Sequence, residues 1–545
     1  MHNVEKFYEE QLDRNSMPRM AWHDVHTMVE GPIVGDIVRH FVERWNFARF
    51  NERNNCLVTV DTSSDDLDRN KIKNKNNNIE INNTPNLSEI SGIKEGENNN
   101  KDNDILINNK INDKTNNNII SEDCPLNERG ASEELVINKN NDDEKNSFTL
   151  FNNDKEKVKD NLNKFNDYKK ENDKNQKKME LRQKAFSNED EQLKDQSNDM
   201  DFNIQALRSV SLWSIGKKES SILQGYYKLI DNAKHYIYIE NQFFITKSFS
   251  EEERINSGLK INSIVQNEIG LHIRKRIERA YLEKSNFKVF ICIPLLPKFS
   301  GTPGENSTMN VVLKNTLQSI AHNKGISLLE QLKQKLGNDV YKYIYFYSLR
   351  NHGTIKGIPM TELIYIHSKL MIIDDEKVLI GSANINDRSM IGSRDSEFAL
   401  IIEEQKKIDS IMDGKNYMAS NYAKSLRKHL MAEHLGKNVD DKILDDPLNE
   451  DLWTYIHTQA KVNSDIYSVI FDCFPDNKFK TLADLKKRKI IETEEDKEDL
   501  KKKYNQNQLG IIGHIVEYPI DFLQNEELKV NFFSKENLVP KISFT

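Results

Sequence analysis

A long polar block most constrains what this chain can fold into. It runs from about Asp61 to about Asp201 and consists largely of Asn, Lys, Asp and Glu, as in NKIKNKNNNIEINNTPN. Aromatic residues are scarce within it and no hydrophobic period is sustained. The block therefore cannot bury enough apolar surface to offset its ordering entropy. We predict a disordered Asn/Lys-rich insertion over residues 54–201 that separates two folded segments.

The segments on either side of the block carry the hydrophobic periods of regular structure. Before it, apolar residues from Ile37 to Trp45 recur at helical spacing. After it, helices and strands alternate: the helix ESSILQGYYKLIDNAKH, the strand YIYIENQFFI, the helix IGLHIRKRIERAYLEK, the strand FKVFICIPLLP, a helix over 308–336 and the strand VYKYIYFYSLR. This β-α-β-α-β order predicts an α/β layered fold. Residues from about Lys406 onward are predicted to be mostly helical.

Composition and charge exclude several classes of protein. The 78 Lys and Arg against 86 Asp and Glu give a net charge of −8, and without a basic domain we expect no nucleic-acid partner. None of the four cysteines lies in a Cys-x-x-Cys pair, so neither a zinc site nor a disulfide framework is predicted. The N-terminus is unlike a secretory signal, and no run reaches the ~18 apolar residues that span a bilayer. A cytoplasmic protein with peripheral membrane contact is predicted.

The stretch IYIHSKLMIIDDEKVLIGSANINDRS, residues 364–389, places polar side chains inside strand-like sequence. Side chains alternate faces along a strand, so His367 and Lys369 share one face while their apolar neighbours point the other way. DDEK is a turn signal, and VLIGSAN is typical of a returning strand. A turn centred within DDEK pairs Lys369 with Ser382 and His367 with Asn384.

These four polar side chains suit a phosphodiester. Lys369 supplies positive charge for a phosphate oxygen, and Ser382 and Asn384 can donate hydrogen bonds to the other oxygens. His367 can attack phosphorus or protonate a leaving alcohol near neutral pH. The alternative is an edge hairpin with polar residues placed by chance, but a buried Lys without a partner is costly. We therefore predict a phosphate-handling site on this hairpin.

The same residues carry a family resemblance. HSKLMIID matches the His-x-Lys-x4-Asp signature of the phospholipase D superfamily, and GSANINDRSM and SRDSEFAL follow it as in the eukaryotic enzymes. RSVSLWSIG, IYIENQFFI, VFICIPLLPKFSG and GHIVEYPIDFL resemble the second catalytic half of those enzymes. PRMAWHDVH with GDIVRHFVERWNFARF resembles the segment that closes their first half. These segments resemble the animal and fungal enzymes, which carry PX and PH domains, more closely than the plant enzymes with C2 domains.

The resemblance implies a phospholipase D-like α-β-α layered sheet built from two catalytic halves. Residues 1–53 would end the first half, residues 54–201 would be the insertion, and residues 202–405 would form the second half with its signature. Residues 406–545 would complete the catalytic domain. The implied reaction is hydrolysis of phosphatidylcholine to phosphatidate and choline through a phosphohistidine. It would proceed without a metal or cofactor at the surface of a phospholipid membrane.

The resemblance also assigns roles to residues of the signature region. His367 would act as acid and base, and Lys369 and Asn384 would hold the phosphate. Asp374, the third signature residue, would tie the hairpin turn more than it touches substrate. Glu397 in RDSEFA would orient an imidazole, as carboxylates often do.

Further site residues are implied outside the signature. Asp24 in WHD resembles the corresponding acid of the first half, although a capping or turn role is equally open. Glu240, Asn241 and Gln242 lie at a predicted strand end, where α/β sites usually open, and would contact the headgroup. Trp22, two residues before Asp24, is predicted to lie in the core.

The sequence departs from the family in one respect. The two-histidine mechanism needs two signature copies, and this chain contains one. We expect the chain to be the C-terminal part of a longer enzyme. Alternatively, the first half comes from another chain, two copies pair through their single signatures, or the protein is a catalytically inactive remnant. A nuclease on the same scaffold and a non-catalytic membrane or scaffolding protein are the rival functions.

Overall fold

The computed structural model describes residues 18–50, 201–256, 265–299, 302–304, 308–526 and 528. These residues form a mixed α/β structure, as predicted. The predicted disordered insertion lies outside the described residues, apart from residue 201 at its end. None of the described helices combines the length and the hydropathy that a bilayer-spanning segment needs.

The strands of the described residues form one large sheet and one separate hairpin. They are β1 (Ala21–His23), β2 (Phe202–Val210), β3 (Glu219–Ser220), β4 (Tyr236–Asn241), β5 (Lys288–Cys292), β6 (Ile344–Ile355), β7 (Ile358–Ile366), β8 (Lys369–Ile373), β9 (Lys377–Gly381), β10 (Glu397–Glu404), β11 (Lys407–Met412), β12 (Lys415–Ser420) and β13 (Ile515–Glu517). The order across the 11-stranded sheet is β1-β7-β6-β5-β4-β8-β9-β10-β2-β3, and β13 pairs with β6. β11 and β12 form the hairpin.

Helices lie before, between and after these strands. They are α1 (Ile33–Phe50), α2 (Leu212–Ile215), α3 (Ser221–Asn232), α4 (Glu251–Asn256), α5 (Ile269–Glu283), α6 (Thr308–Ile320), α7 (Leu328–Leu336), α8 (Asp387–Met390), α9 (Asn421–Leu435), α10 (Glu450–Phe471), α11 (Leu482–Lys486) and α12 (Glu494–Asn507). Short 3₁₀ helices cover Gly337–Lys342, Lys442–Leu444 and Gln508–Gly510. The C-terminal region is therefore less uniformly helical than predicted, because it begins with β11 and β12 and returns to the sheet through β13.

Alternation along the central strands creates two cores. Ile237, Ile239 and Met371 face one side, where they pack with α3, α5, α6 and α7. Tyr238 and Leu370 face the other side, where they pack with α9 and α10. A layer of helices therefore lies on each face of the sheet, which confirms the predicted α-β-α arrangement.

Residues before and after the insertion belong to one folded unit. β1 pairs in parallel with β7, so that Ala21 lies opposite Ile364. In α1, the carboxylate of Glu43 accepts hydrogen bonds from Arg208 of β2 (2.6 Å) and from Lys217 (3.2 Å). The last described helix before the insertion is thus held against the first described strand after it.

The predicted apolar face of α1 is only partly covered. Ile33 and Val42 are buried, but Val38, Phe41 and Trp45 are 42%, 62% and 40% exposed. The rings of Phe41 and Trp45 stack with centroids 5.9 Å apart. A contiguous apolar surface of this kind is a place where a further element can pack.

The signature stretch is two strands instead of one. β7 ends at Ile366 and β8 begins at Lys369. Between them, the backbone N–H of His367 donates to the carbonyl of His23 (2.7 Å). His367 thus occupies a connection between strands. β4 likewise ends early, at Asn241.

The hairpin of β8 and β9 is shifted by one residue from the predicted register. Leu370 pairs with Ile380, so the register aligns Lys369 with Gly381, where the prediction set it opposite Ser382. The turn holds an odd number of residues, because Asp374 and Asp375 both adopt left-handed backbone with φ of 56° and 52°. Asp adopts left-handed backbone more readily than most residues. A turn signal in the sequence does not reveal whether a given Asp does so.

Candidate active site

The ring of His367 is held by a carboxylate from the N-terminal segment. Its Nδ1 lies 2.8 Å from Oδ2 of Asp24, which follows β1 and is carried beside His367 by the pairing of β1 with β7. Burial alone would raise the pKa of Asp24, but the hydrogen bond and charge of His367 hold it below its ordinary value. An Nδ1–H donated to this carboxylate leaves the Nε2 lone pair for chemistry. Asp24, and not Glu397, therefore orients this imidazole.

Lys369 lies beside the same ring and is almost buried, with an exposed fraction of 7%. Its Nζ donates to Oε1 of Gln242 (2.9 Å) and to the carbonyl of His367 (2.5 Å). Burial lowers the pKa of Lys369 to about 8, although the negative charges of Asp24 and Glu397 act to raise it. A bound anion would favour the charged form of this ammonium. The Lys369 ammonium is therefore positioned to bind a negatively charged ligand.

Gln242 links the ammonium to an aromatic surface. Its Nε2 donates to the hydroxyl of Tyr365 (2.9 Å), whose ring centroid lies 5.2 Å from that of Trp22. The Trp22 ring is half exposed and lies 4.9 Å from the ring of His367. Trp22 therefore lines the site, and its predicted place in the core is wrong. Nζ of Lys298 lies 4.3 Å from the Trp22 centroid, so this surface already accepts a cation.

Ser382 and Asn384 follow the end of β9, and Glu397 is the first residue of β10. The Ser382 hydroxyl donates to Oε2 of Glu397 (2.5 Å) and accepts from the N–H of Phe398 (3.1 Å). Burial raises the pKa of Glu397 above its ordinary value, and its charge acts on the pKa of Lys369. Oδ1 of Asn384 is buried without a hydrogen-bond partner among the residues described. Glu397 and Ser382 thus border the site, and the Asn384 amide retains an unused hydrogen-bonding atom.

Asp374 lies at the far end of β8 from His367. The five residues of β8 place it roughly 15 Å away. Its buried carboxylate accepts hydrogen bonds from the backbone N–H groups of Lys234, His235 and Tyr236 at 2.7 Å, 2.8 Å and 2.8 Å. Asp374 therefore anchors the turn to the start of β4, the turn-tying role expected of it, and this third residue of the signature is not a catalytic residue.

Glu240 and Asn241 do not reach the surface, so their predicted contact with a headgroup is wrong. Both are fully buried. Oδ1 of Asn241 accepts from the backbone N–H groups of Phe243 (3.1 Å) and Ile385 (3.0 Å), which ties β4 to the segment after β9. Glu240 points to the opposite face of the sheet, because side chains alternate along β4. Asn241 lies opposite Lys369 in the pairing of β4 with β8, but the side chain that accepts a hydrogen bond from Lys369 is that of Gln242, which lies beyond the end of the strand.

Sequence reasoning missed a buried cluster on the Glu240 side of the sheet. Oε2 of Glu240 lies 2.9 Å from Nε2 of His23, and Oε1 lies 3.5 Å from Nε2 of His434. The three residues belong to β1, β4 and α9, so no local spacing relates them. The one available signal was a charged residue in the apolar and aromatic strand YIYIEN, because buried charges are usually paired.

Comparisons with known proteins point to one family. A profile of the family described as Phospholipase D matches residues 2–117, 154–362 and 360–476. Phospholipase D1 of Mus musculus is 39% identical over 350 residues, covering 62% of this chain and 30% of that protein. Phospholipase D zeta 1 of Arabidopsis thaliana is 31% identical over 578 residues, covering 97% of this chain and 50% of that protein. The chain thus spans no more than half the length of these two relatives.

Proposed function

This chain belongs to the phospholipase D family, and we propose on that premise that its site hydrolyses phosphatidylcholine to phosphatidate and choline. One observation carries the proposal: Asp24 holds Nδ1 of His367, and the buried ammonium of Lys369 lies beside the same residue. In a phosphodiester cleavage, a histidine placed in this way can transfer the proton, and the desolvated cation beside it can stabilise the negative charge on the phosphate.

The proposed reaction divides the chemistry between His367 and a second imidazole. Lys369 binds a phosphate oxygen while the second imidazole attacks phosphorus, which forms an N–P bond as the P–O bond to choline breaks. His367 gives its Nε2 proton to the departing choline oxygen. Water then attacks phosphorus, His367 takes the proton of that water, and the N–P bond breaks to release phosphatidate. Asp24 stabilises the charged form of His367 before the proton leaves and after it returns.

The second imidazole comes from a partner, either the first catalytic half or a second copy of this chain. Glu397 is the carboxylate that would orient it, because Ser382 already fixes one Glu397 oxygen and the residue is close enough to the site for its charge to act on the pKa of Lys369. Phe41 and Trp45 offer the partner an exposed apolar surface on α1.

The aromatic surface favours a choline headgroup at a membrane surface. The ammonium of Lys298 lies 4.3 Å from the ring centroid of Trp22 and 5.7 Å from that of Tyr365. A quaternary ammonium carries the same charge with more apolar surface, so it can displace Lys298 from these rings. The net charge of −8 disfavours nucleic acid, the rival phosphodiester.

Transphosphatidylation tests the proposal. Residues 1–545 are mixed with phosphatidylcholine vesicles and a primary alcohol, and phosphatidylalcohol is measured for the parent chain and for His367→Asn. We expect product from the parent and about a 1000-fold lower rate from the variant, because the acid and base is removed. A rate per chain that rises with chain concentration would identify a second copy as the partner. No product from a folded parent would assign the second imidazole to the first catalytic half. Equal product from both chains would contradict the role proposed for His367.

A further inference from the structure

The cluster of His23, Glu240 and His434, here called the His-Glu-His cluster, has no part in the proposed reaction. Its residues end β1, lie near the end of β4 and lie in the last turn of α9, respectively. Their exposed fractions are 7%, 0% and 1%, which leaves little access for bulk water. One nitrogen or oxygen atom from each side chain lies within 4.8 Å of those of the other two. The cluster therefore has the composition and the closeness of a metal site.

The separations within the cluster fit atoms that surround one ion. Nε2 of His23 lies 2.9 Å from one oxygen of Glu240, and Nε2 of His434 lies 3.5 Å from the other. Ligand atoms at roughly 2.0–2.1 Å from a tetrahedral zinc ion lie about 3.3 Å from one another. Small side-chain adjustments would let these three groups share a single cation.

Neighbouring side chains orient both imidazoles through their other ring nitrogens. Nδ1 of His23 faces Oε1 of the exposed Glu433 at 3.7 Å. Nδ1 of His434 lies 3.2 Å from the hydroxyl of Tyr347. Metal-binding histidines usually engage a carboxylate or another polar group in this way, which fixes the tautomer and directs Nε2 at the ion.

The unpaired atom of the cluster is Nε2 of His434. It is buried and has no hydrogen-bond partner in the part of the chain that the structure describes. The nearer oxygen of Glu240 already accepts from the hydroxyl of Tyr238 (2.6 Å). A buried nitrogen left unpaired is costly, and a cation shared with His23 and Glu240 would satisfy it.

We propose that His23, Glu240 and His434 bind a divalent transition-metal ion, with zinc the best match. Two imidazoles and one carboxylate form a known type of zinc ligand set, whereas Ca²⁺ and Mg²⁺ prefer oxygen ligands throughout. The three side chains leave one tetrahedral position for a further ligand. This site is separate from the phosphate-handling residues, and its occupancy does not depend on the proposed reaction.

The ion would hold together elements on which the candidate active site depends. His23 precedes Asp24 in the chain, and the carbonyl of His23 accepts from the N–H of His367 (2.7 Å). Joining the end of β1 to β4 and α9 therefore fixes the carboxylate that orients His367. The ion acts by positioning this segment and takes no part in the chemistry.

Zinc binding by the full chain tests the proposal. The protein is stripped with a chelator, dialysed into metal-free buffer and titrated with Zn²⁺. Bound zinc is counted by mass spectrometry, and Tm is followed by scanning fluorimetry. We expect about one zinc per chain and a Tm increase of about 5 °C at a hundredfold excess of zinc over its Kd.

Three variants distinguish the cluster from zinc binding elsewhere. His434→Gln removes one ligand and should abolish both the stoichiometric binding and the Tm increase. His272→Gln is the matched control, because His272 also pairs with a carboxylate, that of Asp231 (2.7 Å), and should bind zinc as the parent does. If His434→Gln does not fold, Tyr347→Phe replaces it and should weaken zinc affinity about 10- to 100-fold by freeing the His434 ring.

Two results would overturn the proposal. A folded parent chain that neither binds stoichiometric zinc nor gains stability from it would leave His23 and Glu240 as a hydrogen-bonded ion pair. Zinc binding that survives unchanged in the folded ligand variant would place the ion elsewhere. Neither result bears on hydrolysis of phosphatidylcholine, so failure of this inference is distinguishable from failure of the proposed function.

Discussion

At the scale of single residues, His367 depends on a carboxylate that lies 343 positions before it in the chain. Asp24→Asn preserves the size of this side chain but removes the charge that stabilises the imidazolium. We expect kcat for choline release from phosphatidylcholine vesicles to fall about 10- to 100-fold with little change in KM. Asp395→Asn breaks an exposed ion pair with Arg388 (2.6 Å) and serves as the control. An unchanged kcat in Asp24→Asn would contradict the orienting role.

We expect the Lys369 ammonium to limit the proposed activity at alkaline pH. In the proposed reaction the phosphate binds the charged form of Lys369, and burial lowers the pKa of this group to about 8. The value of kcat/KM, which reports the free enzyme, should therefore fall as pH rises through about 8. Lys369→Arg keeps its charge at all these pH values, so its lower rate should show no such decline. The same alkaline decline in both chains would assign the titration to another group.

Local spacing predicts some residues of the site and not others. His367 and Lys369 are two positions apart, and a period of two is sufficient to bring them together. Their contact with Asp24 depends on the parallel pairing of β1 with β7, which no local pattern encodes. Glu240 and Asn241 were misplaced because an apolar run does not reveal where its strand ends or which face is solvated.

At the scale of elements, the turn between β8 and β9 is fixed by buried charge. Asp375 receives two hydrogen bonds from Arg427 of α9, each 2.8 Å long, and both side chains are fully buried. Arg427→Met leaves the Asp375 carboxylate without its cation. We expect the free energy of unfolding in urea to fall by about 3–5 kcal/mol.

Arg388→Met is the control for this substitution, since it breaks a pair with Asp395 that is largely exposed. We expect it to cost less than about 1 kcal/mol. If both variants lost similar amounts of unfolding free energy, the buried pair of Arg427 would stabilise the hairpin no more than an exposed pair does.

The elements themselves were more predictable than their junctions. Helical and strand periods indicate the alternating order because each element must bury one face. The register of the hairpin differs by one residue because Asp374 and Asp375 both take left-handed backbone. This conformation is stabilised by contacts with Tyr236 and Arg427, which lie far away in sequence. Register was therefore a tertiary property at this turn.

At the scale of the whole molecule, the sheet needs residues from both sides of the insertion. Deleting Ser63–Gln196 joins Thr62 to Ser197, both within the main folded unit. The disorder predicted from composition makes this change a shortening of a flexible loop, which lowers the entropic cost of closing it. We expect the free energy of unfolding to rise by about 2 kcal/mol, with the rate of choline release unchanged. A loss of stability would show that the insertion contributes contacts to the folded unit.

Arg208 and Glu43 hold α1 against β2 by a side-chain contact. The two elements can therefore stay together without the covalent link between them. A protease that cuts within the insertion would leave two polypeptides, one carrying Asp24 and the other carrying His367. Pairing of β1 with β7 and the 2.6 Å contact of Arg208 with Glu43 would still join them. The proposed hydrolysis would then require the two fragments to associate. Dilution of the cut protein would lower its rate per molecule, whereas the rate of the intact chain would not depend on this association.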